Sequence, residues 1–262
     1  MKENYQTIRF EIQDKIMTIW LNRPDVHNAF NSTMLKELSE ILEWIAGSDE
    51  VRVVIFTGEG KSFSAGADLN WMKEIINYTY EENLQDSELI SHVFYLIYTC
   101  PKPVIAAING AAVGGGMGFV AASDIVIASE RAKFSLSEVK IGLVPSCISP
   151  YLFKKVGEGA LKELFISGMR FGPDKALKIN LINYVVEHEK LLDFAQEKAR
   201  ELLVCGPQAI AICKKLFFEV QEMDLQTAYH YTADLIAKMR ISDEAQEGMH
   251  AFLEKRKPKW QS

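Results

Sequence analysis

The chain has 262 residues, with 29 Lys and Arg against 35 Asp and Glu and a net charge of −6. That acidity argues against a nucleic-acid binder working through bulk charge, and no run reaches the roughly 18 consecutive apolar residues of a membrane span. At 48% hydrophobic, the length suits one large domain, or one domain with an appendage. Cys100, Cys147, Cys205 and Cys213 are irregularly spaced with no Cys-x-x-Cys, so they read as free thiols rather than a disulfide frame or a zinc site. The polar start, Met1-Lys2-Glu3-Asn4-Tyr5, does not read as a signal peptide, and a cytoplasmic location is expected.

In chain order, Ile8 to Ile12 and Ile16 to Leu21 are strand-like, and Asp14-Lys15 between them suits a tight hairpin. Met34, Leu35, Leu38, Ile41, Leu42 and Ile45 recur at helical spacing, with Lys36, Glu37, Glu40 and Glu43 between them. Val51 to Thr57, Val104 to Ile108 and Ile125 to Ala128 are continuous apolar runs of the kind found in strands buried on both faces. Alternation of such strands with helices predicts a parallel sheet with crossover helices, an α/β architecture. Beyond about residue 150 only Leu181 to Val186 looks like a strand. Helical patterns cover 190–204, 207–222, 224–238 and 243–257. Residues 1–190 are therefore expected to form an α/β core and residues 191–262 a helical C-terminal region.

Three clusters could carry chemistry. Gly114-Gly115-Gly116-Met117-Gly118 follows a strand and precedes an apolar stretch that can open a helix. Free N–H groups there favour a phosphate or an oxyanion, while tight helix–strand packing is the alternative reading. It is not a dinucleotide fingerprint, because Phe119 stands where the last Gly is needed. Ser64-Ala65-Gly66-Ala67-Asp68 also lies between a strand and a helix pattern. One N–H from each turn could converge on a single oxygen. Ser135-Leu136-Ser137-Glu138 is the third. Apolar neighbours Phe134, Leu136, Val139, Ile141 and Leu143 would desolvate Glu138 and raise its pKa toward acid–base duty, unless it is a surface residue paired with Lys140.

Taken together, these residues resemble the enoyl-CoA hydratase/isomerase (crotonase) superfamily. The match runs in order over nearly the whole chain. It includes Leu21-Asn22-Arg23-Pro24, Ser64 to Leu69, Pro101 to Gly110, Gly114 to Gly116, Ser123-Asp124-Ile125, Ser137-Glu138, Gly142 to Pro145 and Glu247 to Arg256. Each motif is short, and the ordered set carries the resemblance. It implies a crotonase-like ββα spiral core with a helical C-terminal trimerisation region, assembled as a homotrimer or a dimer of trimers. It implies an acyl-CoA thioester substrate and no metal or redox cofactor. The N–H groups of Ala67 and Gly115 match the family's oxyanion hole, and Glu138 matches a catalytic glutamate. Asn22, Arg23, Ala65, Gly66, Asp68 and Gly114 match positions that hold CoA. Phe252 and Lys255 match positions that, in relatives, reach a CoA in the neighbouring subunit.

One departure matters. Two-carboxylate hydratases carry a glutamate two residues after the third Gly of the run, where this chain has Gly118. The text around Ala67 to Met72 and Ser137 to Tyr151 looks like a bacterial methylglutaconyl-CoA hydratase-like subgroup. The resemblance therefore implies a hydratase acting on an α,β-unsaturated acyl-CoA. The alternatives are a Δ3,Δ2-enoyl-CoA isomerase working with one glutamate, and a non-catalytic acyl-CoA-binding homologue. In the hydratase reading, water would be positioned by Glu138 with help from a second group, with Glu74, Glu81, Glu82 and Asp86 as candidates.

Overall fold

In the computed structural model, which describes Lys2 and residues 4–261, Asp14 and Lys15 both take left-handed backbone angles, φ 50° and 63°. A two-residue loop of this kind matches the strand twist. It folds β1 (Ile8–Gln13) antiparallel onto β2 (Ile16–Leu21), with Gln13 opposite Ile16. β2 then runs parallel to β3 (Val53–Gly58), followed across the sheet by β4 (Val104–Ile108), β6 (Ile125–Ser129) and β9 (Tyr184–Val186). A second, three-stranded sheet has the order β5 (Ala111–Val113), β7 (Lys133–Ser135), β8 (Arg170–Phe171).

The continuous apolar runs have the predicted cause. Side chains alternate faces along a strand, and both faces of the large sheet are covered. Val54, Phe56, Val104, Ala106, Ile108, Val126 and Ala128 join the main core with α1 (Ser32–Gly47), α3 (Tyr80–Thr99) and α4 (Gly116–Ala122). Val53, Ile55, Ile105, Ala107 and Ile127 meet α8 (Leu191–Leu203) through Leu191, Ala195 and Ala199, each four residues apart. α8, which the sequence pattern groups with the C-terminal helices, is thus the cover of the sheet's second face.

α1 buries the predicted stripe, and Asn31 caps it by accepting from the Met34 N–H at 3.0 Å. Glu37 is buried too, against its expected place among the polar positions. Its carboxylate accepts the backbone N–H groups of Gln6 at 2.8 Å and Thr7 at 2.9 Å, tying the N-terminal segment to the helix. α4 is buried along its whole length. Two of its C-terminal carbonyls, Val120 and Ser123, accept from Lys155 Nζ at 3.1 and 2.5 Å. Burial pushes the Lys155 ammonium down to about 8, against the opposing pull of Asp124. Asp124 in turn accepts the Val104 N–H at 2.7 Å and pairs with Lys214 at 2.6 Å.

The remaining helices are α2 (Leu69–Ile75), α5 (Ser149–Lys155), α6 (Glu158–Ser167), α7 (Pro173–Lys178), α9 (Pro207–Glu219), α10 (Leu225–Arg240) and α11 (Asp243–Leu253). α9 and α10 bury no residue, and Phe217, Leu225, Tyr229, Ile241, Phe252 and Leu253 are all exposed. Among the described residues, no helix is long and apolar enough to cross a membrane.

Candidate active site

The two small-residue turns come together because a web of main-chain hydrogen bonds joins them. Residues 27–30 run alongside 65–68. The Ala65 N–H donates to His27 O at 3.0 Å, Phe30 to Gly66 O at 2.8 Å, and Asp68 to Phe30 O at 2.9 Å. On the other side Ser64 N–H donates to Ala111 O at 2.9 Å, and Val113 N–H to Ser64 O at 3.0 Å, which stitches the turn to β5. Gly66 sits at φ +91°, where L side chains rarely go. A Cβ there would lie 2.8 Å from Val113 O and 3.3 Å from Gly115 N, so the turns touch only because position 66 is glycine.

In this web the N–H groups of Ala67 and Gly115 donate to no protein acceptor among the described residues. Such unused donors, fixed by their neighbours' bonds, can hold charge that develops on an oxygen without reorganising.

Glu138 closes the arrangement. Gly114 N–H donates to Ser135 O at 2.9 Å, which binds the glycine run to β7, immediately before the Ser137-Glu138 pair. A Cβ on Gly114 would lie 3.7 Å from Glu138 Oε1. Glu138 Oε2 is the one buried side-chain polar atom with no hydrogen-bond partner among the described residues. Burial pushes its carboxyl above the ordinary carboxylate range, its own N–H opposing only in part. It makes no ion pair with Lys140, so the surface-pair alternative falls away. Of the apolar neighbours expected to desolvate it, Phe134 and Leu136 are buried, whereas Val139, Ile141 and Leu143 are exposed.

Asp68 and Arg23, both expected near CoA, are engaged with each other. Asp68 Oδ1 caps α2 through the N–H groups of Asn70 at 2.7 Å and Trp71 at 3.4 Å. Its Oδ2 pairs with Arg23 Nη1 at 2.8 Å, and the same nitrogen donates to Ala29 O at 2.6 Å. Burial alone would raise the Asp68 carboxyl. The two N–H groups and the guanidinium outweigh it and hold the carboxyl below its usual value. Asn22 lies half-buried at the end of β2, its N–H on Thr7 O at 2.8 Å. Phe252 and Lys255 are exposed at the end of α11, and among the described residues no hydrogen bond or ion pair joins them to these turns.

The four acids named as water-positioning candidates are either engaged elsewhere or exposed. Asp86 accepts from Trp71 Nε1 at 2.9 Å, Glu82 completes a capping box with Thr79, and Glu74 and Glu81 are exposed. The residues that sequence reasoning missed are aromatic. A Cβ on Gly115 would strike the Phe30 ring, and one on Gly118 would overlap the Phe94 ring. A glycine inside a helix costs about 1 kcal/mol relative to alanine, and that was the available signal that something packs against position 118.

A protein-family model described as enoyl-CoA hydratase/isomerase matches residues 11–262. The chain belongs to the enoyl-CoA hydratase/isomerase family. It is 36% identical over 249 residues to the short-chain-enoyl-CoA hydratase of Clostridium acetobutylicum, covering 94% of each chain. It is 35% identical over 255 residues to the crotonyl-CoA hydratase of Syntrophomonas wolfei, covering 97% of each. The crystal structure of an enoyl-CoA hydratase from Shewanella pealeana superposes with a TM-score of 0.95 at 36% identity, over 98% of this chain and 97% of that one. This family member therefore has the crotonase fold and is an enzyme of the crotonase superfamily.

Proposed function

We propose that this family member adds water to, or removes it from, an α,β-unsaturated acyl-CoA, with Glu138 as its single acid–base group and a branched, methylglutaconyl-like acyl group as substrate. The observation that carries the reading is the buried, partnerless Glu138 Oε2 beside two unused N–H groups. The thioester carbonyl accepts from Ala67 and Gly115. Glu138 takes a proton from water as its oxygen bonds to C3. The electron pair of the double bond moves onto the thioester oxygen as an enolate, which the two N–H groups stabilise. Glu138 then returns a proton to C2 as the enolate collapses. Atoms balance to one water added, and no step asks for a metal or redox group.

Asn22, Arg23, Ala65, Gly66, Asp68 and Gly114 hold the CoA in this reading. Asp68 acts by fixing Arg23 and the start of α2. Phe252 and Lys255 reach the CoA of a neighbouring subunit in a homotrimer or dimer of trimers. The exposed apolar side chains of α9, α10 and α11 support that assembly.

One observation favours a second reading. The Phe94 ring occupies the space at Gly118, so the site holds one carboxylate, which is all that a Δ3,Δ2-enoyl-CoA isomerase uses. Incubation with 2-enoyl, 3-enoyl and 3-methylglutaconyl CoA esters separates the two by product mass. A gain of one water supports hydration, and an isobaric product with a shifted double bond supports isomerisation. Binding without conversion of any ester overturns both.

A further inference from the structure

We propose that Phe94 sets the length of acyl chain this site accepts, by filling the space at Gly118 between the glycine turn and a largely apolar cavity; this rests on the acyl-CoA reading above. Gly118 lies three residues beyond Gly115, on the same face of α4, and is fully buried. A Cβ there would overlap three carbons of the Phe94 ring, so the ring is seated in the volume that a side chain at 118 would occupy. Phe94 is itself fully buried. Its ring meets Phe119 edge-on at 5.3 Å, and Phe119 in turn packs against Phe30, Phe56 and Phe63. The position is held by an aromatic cluster and not by a flexible loop.

The ring also meets Tyr151 edge-on, with centroids 6.5 Å apart. Tyr151 belongs to the wall of a cavity of about 640 Å³ between α3, α5 and α9, lined also by Tyr98, Pro101, Ile212 and Phe218. Tyr98 follows Phe94 by four residues on α3, on the same face, and its ring lies 5.1 Å from Tyr151 and 4.9 Å from Phe218. The cavity is in the size range of ligand pockets, with Tyr95, Tyr98, Tyr151 and Phe218 giving it an aromatic wall and Lys154, Lys214, Lys215 and Glu219 adding charged groups to its lining. With the ring in place, an acyl group at Glu138 ends against Phe94. With the ring removed, the void runs from Gly118 to Tyr151, and a longer chain continues toward Tyr98 and Phe218.

The test compares the full-length wild type with Phe94→Ala by calorimetric binding of saturated butanoyl-, octanoyl- and dodecanoyl-CoA, which needs no chemistry. A buried methylene strengthens binding about fourfold. Wild type is expected to gain no more than about threefold from the four-carbon to the twelve-carbon ester, and the variant at least tenfold. A folded variant whose ratio matches wild type overturns the proposal, as does a wild type that already favours the long ester. If Phe94→Ala does not fold, Phe94→Leu is read instead, with a smaller shift in the same direction expected and no shift overturning. Turnover of the matching 2-enoyl esters is measured alongside. Binding without turnover overturns the hydratase reading and leaves the chain-length result standing, whereas failure of either protein to bind any ester overturns both.

Discussion

Two carboxylates border the same pair of turns, and the fold treats them in opposite ways. Asp68 is given two backbone N–H groups and a guanidinium, and its carboxyl is held below the usual range. Glu138 is half-buried, with its Oε2 sealed off and without a partner, and its carboxyl is pushed above that range. A satisfied carboxylate gains nothing by moving a proton. A desolvated one with a free oxygen is poised to accept and return one. In the proposed mechanism the contrast separates the residue that builds the site from the residue that works in it, although the sequence presents both as an acid beside small or apolar neighbours.

The largest expected effect breaks the contrast at Glu138. Glu138→Gln should lower kcat by about 10²–10⁴ while the dissociation constant of a saturated acyl-CoA stays within about threefold. A variant that retains the wild-type rate would remove Glu138 from the chemistry. Next, Gly66→Ala forces a side chain onto a left-handed backbone and toward Val113 O, displacing the Ala67 donor. A kcat loss of about 10²–10³ is expected, read in steady-state kinetics together with an unshifted acid limb. Asp68→Asn should act on stability instead. Loss of the charge facing Arg23 is expected to remove about 1–3 kcal/mol in urea unfolding, with a smaller effect on kcat than Glu138→Gln.

The smallest effect is in pH dependence, where the two groups have opposite signs. The folded Asp68 carboxyl is depressed, so its stabilisation is present above the unfolded value and is lost as pH falls through the folded one. The folded Glu138 carboxyl is raised, so its ionised form is penalised at neutral pH and stability is gained as pH falls into its raised range. Urea midpoints between neutral and mildly acidic pH should therefore rise in Glu138-containing protein relative to Glu138→Gln. Because the hydratase reading needs Glu138 ionised, the acid limb of kcat should lie above the usual value of about 4.3.

Much of this was legible in the sequence, for stated reasons. The β-branched runs became β3, β4 and β6 because both sheet faces are covered, and the helical stripe of α1 is buried as its period requires. The strands that escaped, β5, β7 and β8, are two or three residues long, too short to show a period. The glycine turns were visible as candidate donors. Their meeting was not, since it depends on hydrogen bonds from His27 and Phe30, far away in the chain. Phe94 was hidden for the same reason. On α3 it is one apolar residue among several, and only the crossing with α4 shows that it answers Gly118.

α4 spans only seven residues, about 10 Å of rise, and both of its ends are occupied. One end borders the unused Gly115 amide proposed to meet the enolate, and the other hooks onto the ammonium of Lys155 through two carbonyls. A short rod held at its far end transmits any slackening there as axial slippage at the near end. Lys155→Met, which removes both donations, is therefore expected to lower kcat in steady-state kinetics while far-ultraviolet dichroism stays unchanged, an injury to catalysis delivered through the back of the helix.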